Sequence, residues 1–124
     1  MTELSKILHR LSALGEELDQ HGGLNIQVID VSGRYPFFDY FVVAGADSDT
    51  GVSPLTVTSE KWVRDSQDFT LNGVEGSGTD WVILDLGSVL VHILKDEARE
   101  FYSIERQLAD CQCWQLLYGE LHRM

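Results

Sequence analysis

The sequence has no apolar run long enough to cross a membrane. Its two most apolar stretches lie on either side of Gly87-Ser88, within residues 80–94. Neither approaches the ~20 residues that a membrane-spanning helix requires. The first residues, MTELSKILHRL, also lack the basic and then apolar pattern of a secretory leader and the arginine-rich pattern of a transit peptide. We therefore expect a soluble, cytoplasmic protein that does not bind membranes.

Basic residues are scarce and scattered. Nine lysines and arginines stand against 20 aspartates and glutamates, so the net charge is -11. Such a surface disfavours direct binding to nucleic acid, because its phosphate backbone is also negative. It attracts basic partners instead, and many of the most basic cellular proteins are those that coat nucleic acid. The composition therefore favours a basic protein as the partner.

Cysteine is limited to Cys111 and Cys113. A structural zinc site needs four ligands, and His122 is the one further ligand nearby. A phosphate-binding loop with its lysine is absent as well. We therefore predict reduced thiols, with no metal and no cofactor.

Two short motifs suggest an active site or a metal, but both are incomplete. Asp49-Thr50-Gly51 matches the tripeptide of aspartic proteases, yet no apolar strand runs directly into the aspartate. Residues 47–51 begin like a calcium loop, but Thr58 stands where a bidentate glutamate belongs. The sequence therefore favours a protein that is not an enzyme.

Hydrophobic periodicity predicts a single α+β domain, residues 1–124, in which helices pack on a mixed sheet of about five strands. Apolar residues recur at intervals of three and four over the N-terminal segment, which is typical of an amphipathic helix. Ser53-Pro54 resembles a helix start. The predicted elements are helices at 3–20, 54–67 and 96–122, strands at 24–31 and 39–46, an edge strand within 69–76 and a hairpin within 80–94.

The hairpin has one apolar face and one mixed face. If Gly87-Ser88 is a two-residue turn, Leu86 lies opposite Val89 and Leu84 opposite Val91, and these pairs belong to the core. The other face carries Trp81, Ile83, Asp85, Leu90, His92 and Leu94.

The titratable ring of His92 on the mixed face has two interpretations. It is either a half-buried ring, bonded to Asp85 or to a backbone carbonyl beneath the C-terminal helix, or part of an open docking patch in which Trp81 is the aromatic anchor. The sequence leaves both open.

Three segments resemble the Iojap-like, ribosomal silencing factor (RsfS) family. The most characteristic is DWVILDLGSVLVHILKDEAREFYSIERQL, whose matching positions are Trp81, Asp85, Gly87, His92, Glu97, Arg99, Phe101, Tyr102 and Glu105. VIDVSGRYPFFDYFVVAGA is similar to the family at Asp30, Val31, Asp39, Tyr40, Phe41 and Val42. NGVEGSGTDW is similar through Glu75 and Gly76.

The resemblance implies a fold and a function. The fold is a small α/β domain with nucleotidyltransferase-like topology, an N-terminal helix at 1–22, a family core at 24–108 and a C-terminal helical extension at 109–124. The function is binding to the fourteenth protein of the large ribosomal subunit, at the intersubunit face, which blocks subunit joining and represses translation; a homodimer is possible. The partner-binding residues so assigned are Asp39, Tyr40, Trp81, Asp85, His92, Arg99, Phe101, Tyr102 and Glu105.

The same fold likeness makes a nucleotidyltransferase-like enzyme, or a nucleotide-binding protein, the alternative. Its chemistry needs a Gly-Ser pair at a helix start and two metal-binding acids spaced D-x-D on a strand. Here Gly76-Ser77 precedes a predicted strand, and Asp85 is followed by Leu86-Gly87 with no second acid. The silencing factor is therefore the preferred interpretation.

Overall fold

A computed structural model, which describes residues 2–47 and 51–124, has a mixed sheet at its centre. In chain order the elements are α1 (Glu3–Gln20), β1 (Gly23–Asp30), β2 (Tyr40–Ala46), α2 (Val52–Asp65), β3 (Gly73–Glu75), β4 (Trp81–Asp85), β5 (Val89–Lys95), α3 (Asp96–Tyr102), α4 (Ile104–Gln107), β6 (Cys113–Leu117) and β7 (Glu120–Arg123). The sheet has seven strands in the order β3-β4-β5-β2-β1-β6-β7. Within the described residues, β2 and β5 pair in parallel and the other neighbouring strands are antiparallel.

Helices α1 and α2 cover one face of the sheet. The predicted amphipathic helix is confirmed: Thr2 caps it by accepting a hydrogen bond from the backbone N–H of Ser5 at 3.0 Å, and Leu11, Leu14 and Leu18 are buried. Helix α2 begins two residues before the predicted position and ends at Asp65. Its poor helix formers are accommodated because the hydroxyls of Thr56 and Ser59 donate to carbonyls one turn back.

The hairpin of β4 and β5 has the predicted register. The Leu86 N–H donates to the Val89 carbonyl at 2.9 Å, which closes a two-residue turn at Gly87-Ser88. Leu84 pairs with Val91 and faces α1 and α2, whereas Ile83 pairs with His92 on the other face. The alternation of residues along the strands therefore separates a core face from a mixed face, as the sequence indicates.

Helices α3 and α4 cover part of the second face. Ile104 and Leu108 pack there against a smaller cluster that includes Phe41, Val43 and Leu94. Leu94 is fully buried, while Ile83, Asp85 and Leu90 stay partly exposed. The mixed face is thus closed near α4 and more open toward the hairpin turn.

The prediction of one closing helix over 96–122, and hence of a helical extension at 109–124, is wrong. Helix α3 ends where Ser103 adopts a left-handed φ of 51°, and after the single turn of α4 the chain forms the β6–β7 hairpin. Trp114 and Leu116 alternate toward the core with the period of a strand. Tyr118 and Gly119 both have positive φ, as a two-residue hairpin turn requires. This hairpin adds two strands to the predicted sheet of about five.

Two smaller predictions complete the comparison with the sequence. The edge strand within 69–76 is β3, which spans only Gly73–Glu75. Asp49 and Thr50, on which the protease motif and the calcium loop both depend, lie outside the described residues.

Candidate partner-binding site

A continuous row of aromatic rings crosses the second face of the sheet and reaches solvent. Neighbouring ring centroids in this row are 4.5 to 6.4 Å apart, the spacing of direct aromatic contact. In order, the aromatic row consists of Phe38, Tyr35, Phe41, His92, Trp81, Tyr102 and Phe101.

Strand pairing brings the middle of the row together. Phe41 of β2 and His92 of β5 lie in parallel neighbouring strands on the same face, and their ring centroids are 4.5 Å apart. Trp81 begins β4, the next strand, and its ring centroid is 5.9 Å from that of His92. The end of α3 then places Tyr102 over Trp81, at 4.8 Å. The row therefore joins segments that are far apart in the chain.

The aromatic row runs from the core to solvent. Phe41 and His92 are only 6% and 4% exposed, whereas Tyr102 is 45% and Phe101 is 81% exposed. Aromatic side chains at this level of exposure supply much of the contact area of protein interfaces. The end formed by Tyr102 and Phe101, the exposed end of the row, therefore offers the most surface to another molecule; Tyr35, near the other end, is 40% exposed.

The His92 ring is bonded to Trp81 and to neither of the expected partners. The Trp81 indole Nε1–H donates to His92 Nδ1 at 3.1 Å. Since Nδ1 accepts, the neutral ring carries its proton on Nε2. Burial lowers the pKa of His92 from 6.5 to about 4, so the ring is neutral near pH 7. The prediction of a half-buried ring bonded to Asp85 or to a carbonyl is wrong: the ring is almost fully buried and its partner is an indole.

The other nitrogen of His92, Nε2, has no partner in the described part of the chain. Nε2 is buried and forms no hydrogen bond within residues 2–47 and 51–124. Buried polar groups are usually paired, so this N–H is an exception that needs an explanation.

Asp85 closes the hairpin turn. Its Oδ1 accepts a hydrogen bond from the Gly87 N–H at 2.8 Å, and its side chain is partly buried. It shares the face of Trp81 but lies at the opposite end of β4. The structure therefore places Asp85 at the border of the aromatic row.

Arg99 holds α3 against the sheet. Its side chain is 8% exposed, and its Nε donates to Glu105 at 2.9 Å. Its two terminal nitrogens donate to the carbonyls of Leu24 and Asn25, at 3.0 and 2.7 Å. These carbonyls lie beside a bulge in β1, where Asn25 has a positive φ of 51° and the pairing with β2 shifts register. Arg99 and Glu105 thus fix the helix that carries Phe101 and Tyr102.

Asp39 and Tyr40 lie apart from the row. The Tyr40 ring packs on the α1 side of the sheet, 6.4 Å from the Trp114 ring. Its pKa is raised by burial and by the nearby carboxylates of Asp30 and Asp39. The two predicted residues border a separate cavity of about 410 Å³ beside the start of α1.

Sequence reasoning missed part of the site. Tyr35, Phe38 and Phe41 belong to the aromatic row, and Phe37 beside them is 80% exposed. The signal is the density of aromatics in YPFFDYF, residues 35–41, which runs from the predicted connection into the predicted strand at 39–46. Of the predicted residues, the structure brings Trp81, His92, Phe101 and Tyr102 together in the row.

Charged residues of both signs lie beside the row. Helix α3 carries Asp96, Glu97 and Glu100 together with Arg99, whose guanidinium is hydrogen-bonded within the protein.

Within residues 2–47 and 51–124, no three His, Cys, Asp or Glu side chains are grouped so that they could hold a metal ion. Cys111 and Cys113 are free thiols. In the same residues, no helix is both long and apolar enough to cross a membrane.

The family model described as ribosomal silencing factor during starvation, RsfS, matches residues 5–121. This chain belongs to the RsfS family. The resemblance inferred from the sequence is therefore confirmed, and the family is named for silencing of ribosomes and not for an enzyme activity.

Individual relatives give the same picture. The chain is 34% identical over 97 residues to the ribosomal silencing factor RsfS of Haemophilus influenzae, covering 75% of this chain and 91% of the relative. It is similar to a mouse protein named mitochondrial assembly of ribosomal large subunit protein 1, with 29% identity over 93 residues that cover 72% of this chain and 40% of the mouse protein. A crystal structure of a Chromobacterium violaceum protein superposes with a TM-score of 0.72 at 28% identity, covering 82% and 86% of the two chains. The fold of this chain is thus shared with a solved bacterial protein.

Proposed function

We propose that this RsfS protein binds the large ribosomal subunit through the exposed end of the aromatic row and blocks joining of the small subunit, which represses translation. The observation that carries the proposal is the row itself: aromatic rings, packed on one another, lead from the core to the exposed Phe101 and Tyr102. The proposed place of action is the cytoplasm.

The choice of the large subunit rests on relatives and on charge. The mouse relative is named for the assembly of that subunit, and the family resemblance points to its fourteenth protein, a basic protein at the intersubunit face. A chain of net charge -11 suits a basic partner, because opposite charges raise the rate of encounter. Binding should therefore weaken as the salt concentration rises.

The residues of the proposed site have different roles. Phe101 and Tyr102 are the contacts, with Trp81 beneath Tyr102 as their support. Arg99 and Glu105 position these rings: their ion pair joins α3 to α4, and the hydrogen bonds from Arg99 to the Leu24 and Asn25 carbonyls hold α3 on the sheet.

The remaining assigned residues lie around the contact. Asp85 lies on the same face as the row and supplies negative charge at its border. Asp39 and Tyr40 lie on the other side of the sheet, so they contact the partner only where the partner extends around the sheet. Alternatively, they contact a second copy of the chain in the proposed homodimer.

The proposed mechanism is steric and requires no chemical step. A bound protein of 14.0 kDa at the intersubunit face occupies space that the small subunit needs. Acidic residues speed the encounter, while the buried aromatic contacts slow dissociation. Silencing should therefore follow occupancy of the large subunit.

Replacing Phe101 by alanine should weaken binding to large subunits by roughly 10- to 30-fold, because truncating an aromatic anchor costs about 2 kcal/mol. Its ring is 81% exposed, so the stability of the free protein should change little. Co-sedimentation of the purified protein with isolated subunits, followed by a subunit-joining gradient, measures both the binding and the silencing.

A matched control is Tyr118→Ala, which removes a fully exposed aromatic ring from the β6–β7 turn, away from the aromatic row. It should bind like the wild type. Equal sedimentation of the wild type with small and large subunits, or equal losses in the two variants, would contradict the proposal.

A further inference from the structure

A small pocket opens beside the middle of the aromatic row. It has a volume of about 250 Å³ and lies between the sheet and α4. Its principal walls are Phe41, Trp81, His92, Tyr102, Ile104 and Leu108. Pockets for drug-sized ligands run from about 300 to 1,000 Å³, so this one suits a smaller group, of the size of one side chain.

The His92 ring, which carries the unpaired Nε2, forms part of the pocket wall. His92 is 4% exposed, its Nδ1 is occupied by the Trp81 indole, and its Nε2 is buried without a partner among residues 2–47 and 51–124. Because Nδ1 accepts, Nε2 carries the hydrogen and can only donate. The ring therefore offers one fixed donor, whose orientation is set by the Trp81 bond and by packing against Phe41.

The surroundings select an uncharged ligand. Most of the lining is apolar, and the amide of Gln107 at the rim is already donating to the Tyr102 carbonyl at 2.9 Å. A cation is disfavoured by the Nε2–H donor, and an anion by the cost of leaving water for apolar walls. What remains is an apolar side chain that brings a neutral hydrogen-bond acceptor, such as a thioether sulfur or an amide oxygen.

We propose that this pocket accepts one uncharged side chain of the docking ribosomal protein, with a hydrogen-bond acceptor placed at the Nε2–H of His92. The inference rests on the proposed function and adds the chemistry of its central contact. Trp81 and Tyr102 belong both to the pocket and to the aromatic row, so a protein seated on the exposed rings lies over the pocket mouth. Hot spots of protein interfaces are typically such side chains inserted into desolvated pockets.

Two substitutions at His92 separate its two nitrogens. In His92→Asn the amide oxygen can still accept from Trp81, but the side chain is too short to donate where Nε2 does. In His92→Gln the amide N–H reaches that position. We expect His92→Asn to lose roughly 10-fold in affinity for large subunits, and His92→Gln to recover most of that loss.

His9→Asn is the control, because His9 is exposed on α1, on the opposite side of the sheet. It should bind like the wild type. If His92→Asn binds as tightly as the wild type, or if His92→Gln loses as much as His92→Asn while both variants melt alike, the inference is overturned.

A second measurement needs no ribosome. Cyclohexanone, an apolar ring with a neutral acceptor, should shift the nitrogen-15 signal of His92 Nε2, while cyclohexanecarboxylate, an anion of similar shape, should not. An unchanged signal with cyclohexanone overturns the inference even if the wild type binds large subunits. A shift in a protein that fails to bind large subunits would overturn the proposed function and leave the chemistry of the pocket standing.

Discussion

Replacing Arg99 by methionine should lower the free energy of unfolding by about 2–3 kcal/mol, because the hydrogen bonds of a buried charged group are lost while the Glu105 carboxylate, 31% exposed, is partly rehydrated. The guanidinium is 8% exposed and donates to Glu105 and to the carbonyls of Leu24 and Asn25. Methionine fills a similar volume but donates nothing, so the carboxylate and both carbonyls lose their partner together. Urea denaturation followed by circular dichroism measures the difference.

The matched control is Arg64→Met. Arg64 also pairs with a glutamate, Glu60, at 3.4 Å, but its side chain is 63% exposed. Exposed pairs of this spacing on a helix contribute only about 0.3–0.5 kcal/mol. Equal losses in the two variants would show that the Arg99 contacts do not hold α3 on the sheet.

The same contacts connect stability with the proposed binding. Helix α3 has only seven residues, too few to be stable in isolation, and it carries Phe101 and Tyr102. With Arg99 removed, the helix loses its attachment to the β1 bulge and the two rings lose their fixed position. Arg99→Met should therefore also weaken binding to large subunits, although Arg99 is not itself proposed as a contact.

Local patterns predicted the elements whose signals are complete within one segment. The helix at 3–20 and the hairpin register about Gly87-Ser88 are confirmed, because a repeat of 3.6 and a turn flanked by alternating residues each specify one structure. The C-terminal segment differs. The spacing of Trp114, Leu117 and Leu121 is compatible with a helix, and the deciding interaction is remote: Trp114 pairs with Val28 of β1. Such pairing across more than half of the chain is not visible in a sequence window.

The site was predicted in part for a similar reason. The family motif groups Tyr40 with Phe41, but neighbouring residues of a strand point to opposite faces, so only Phe41 joins the aromatic row. Trp81 and His92 come together because β4 and β5 are adjacent, which the hairpin made predictable. The bond between their rings was not predictable, since it depends on how closely α3 and α4 cover them.

The free energy of unfolding should fall by about 3 kcal/mol between about pH 7.5 and pH 4 because of His92, whose pKa differs between the folded and unfolded chains. Burial lowers the pKa in the folded protein from 6.5 to about 4. Between these values the unfolded chain binds a proton at His92 and the folded chain does not, so acid favours unfolding. Above about pH 7.5, well above the ordinary pKa of 6.5, the ring is neutral in both states and this contribution is constant.

The test is the free energy of unfolding of the wild type and of His92→Gln at several pH values. Carboxylates titrate in both proteins, so their contribution cancels in the difference, and the wild type should lose about 3 kcal/mol more than the variant between about pH 7.5 and pH 4. His9→Gln, at an exposed position, should give a curve parallel to that of the wild type. If His92→Gln is also parallel to the wild type, the buried ring takes up its proton as readily as an exposed one. In that case Nε2 must be in contact with water. The pocket beside His92 would then lack the desolvated donor that, as proposed, binds a side chain of the partner.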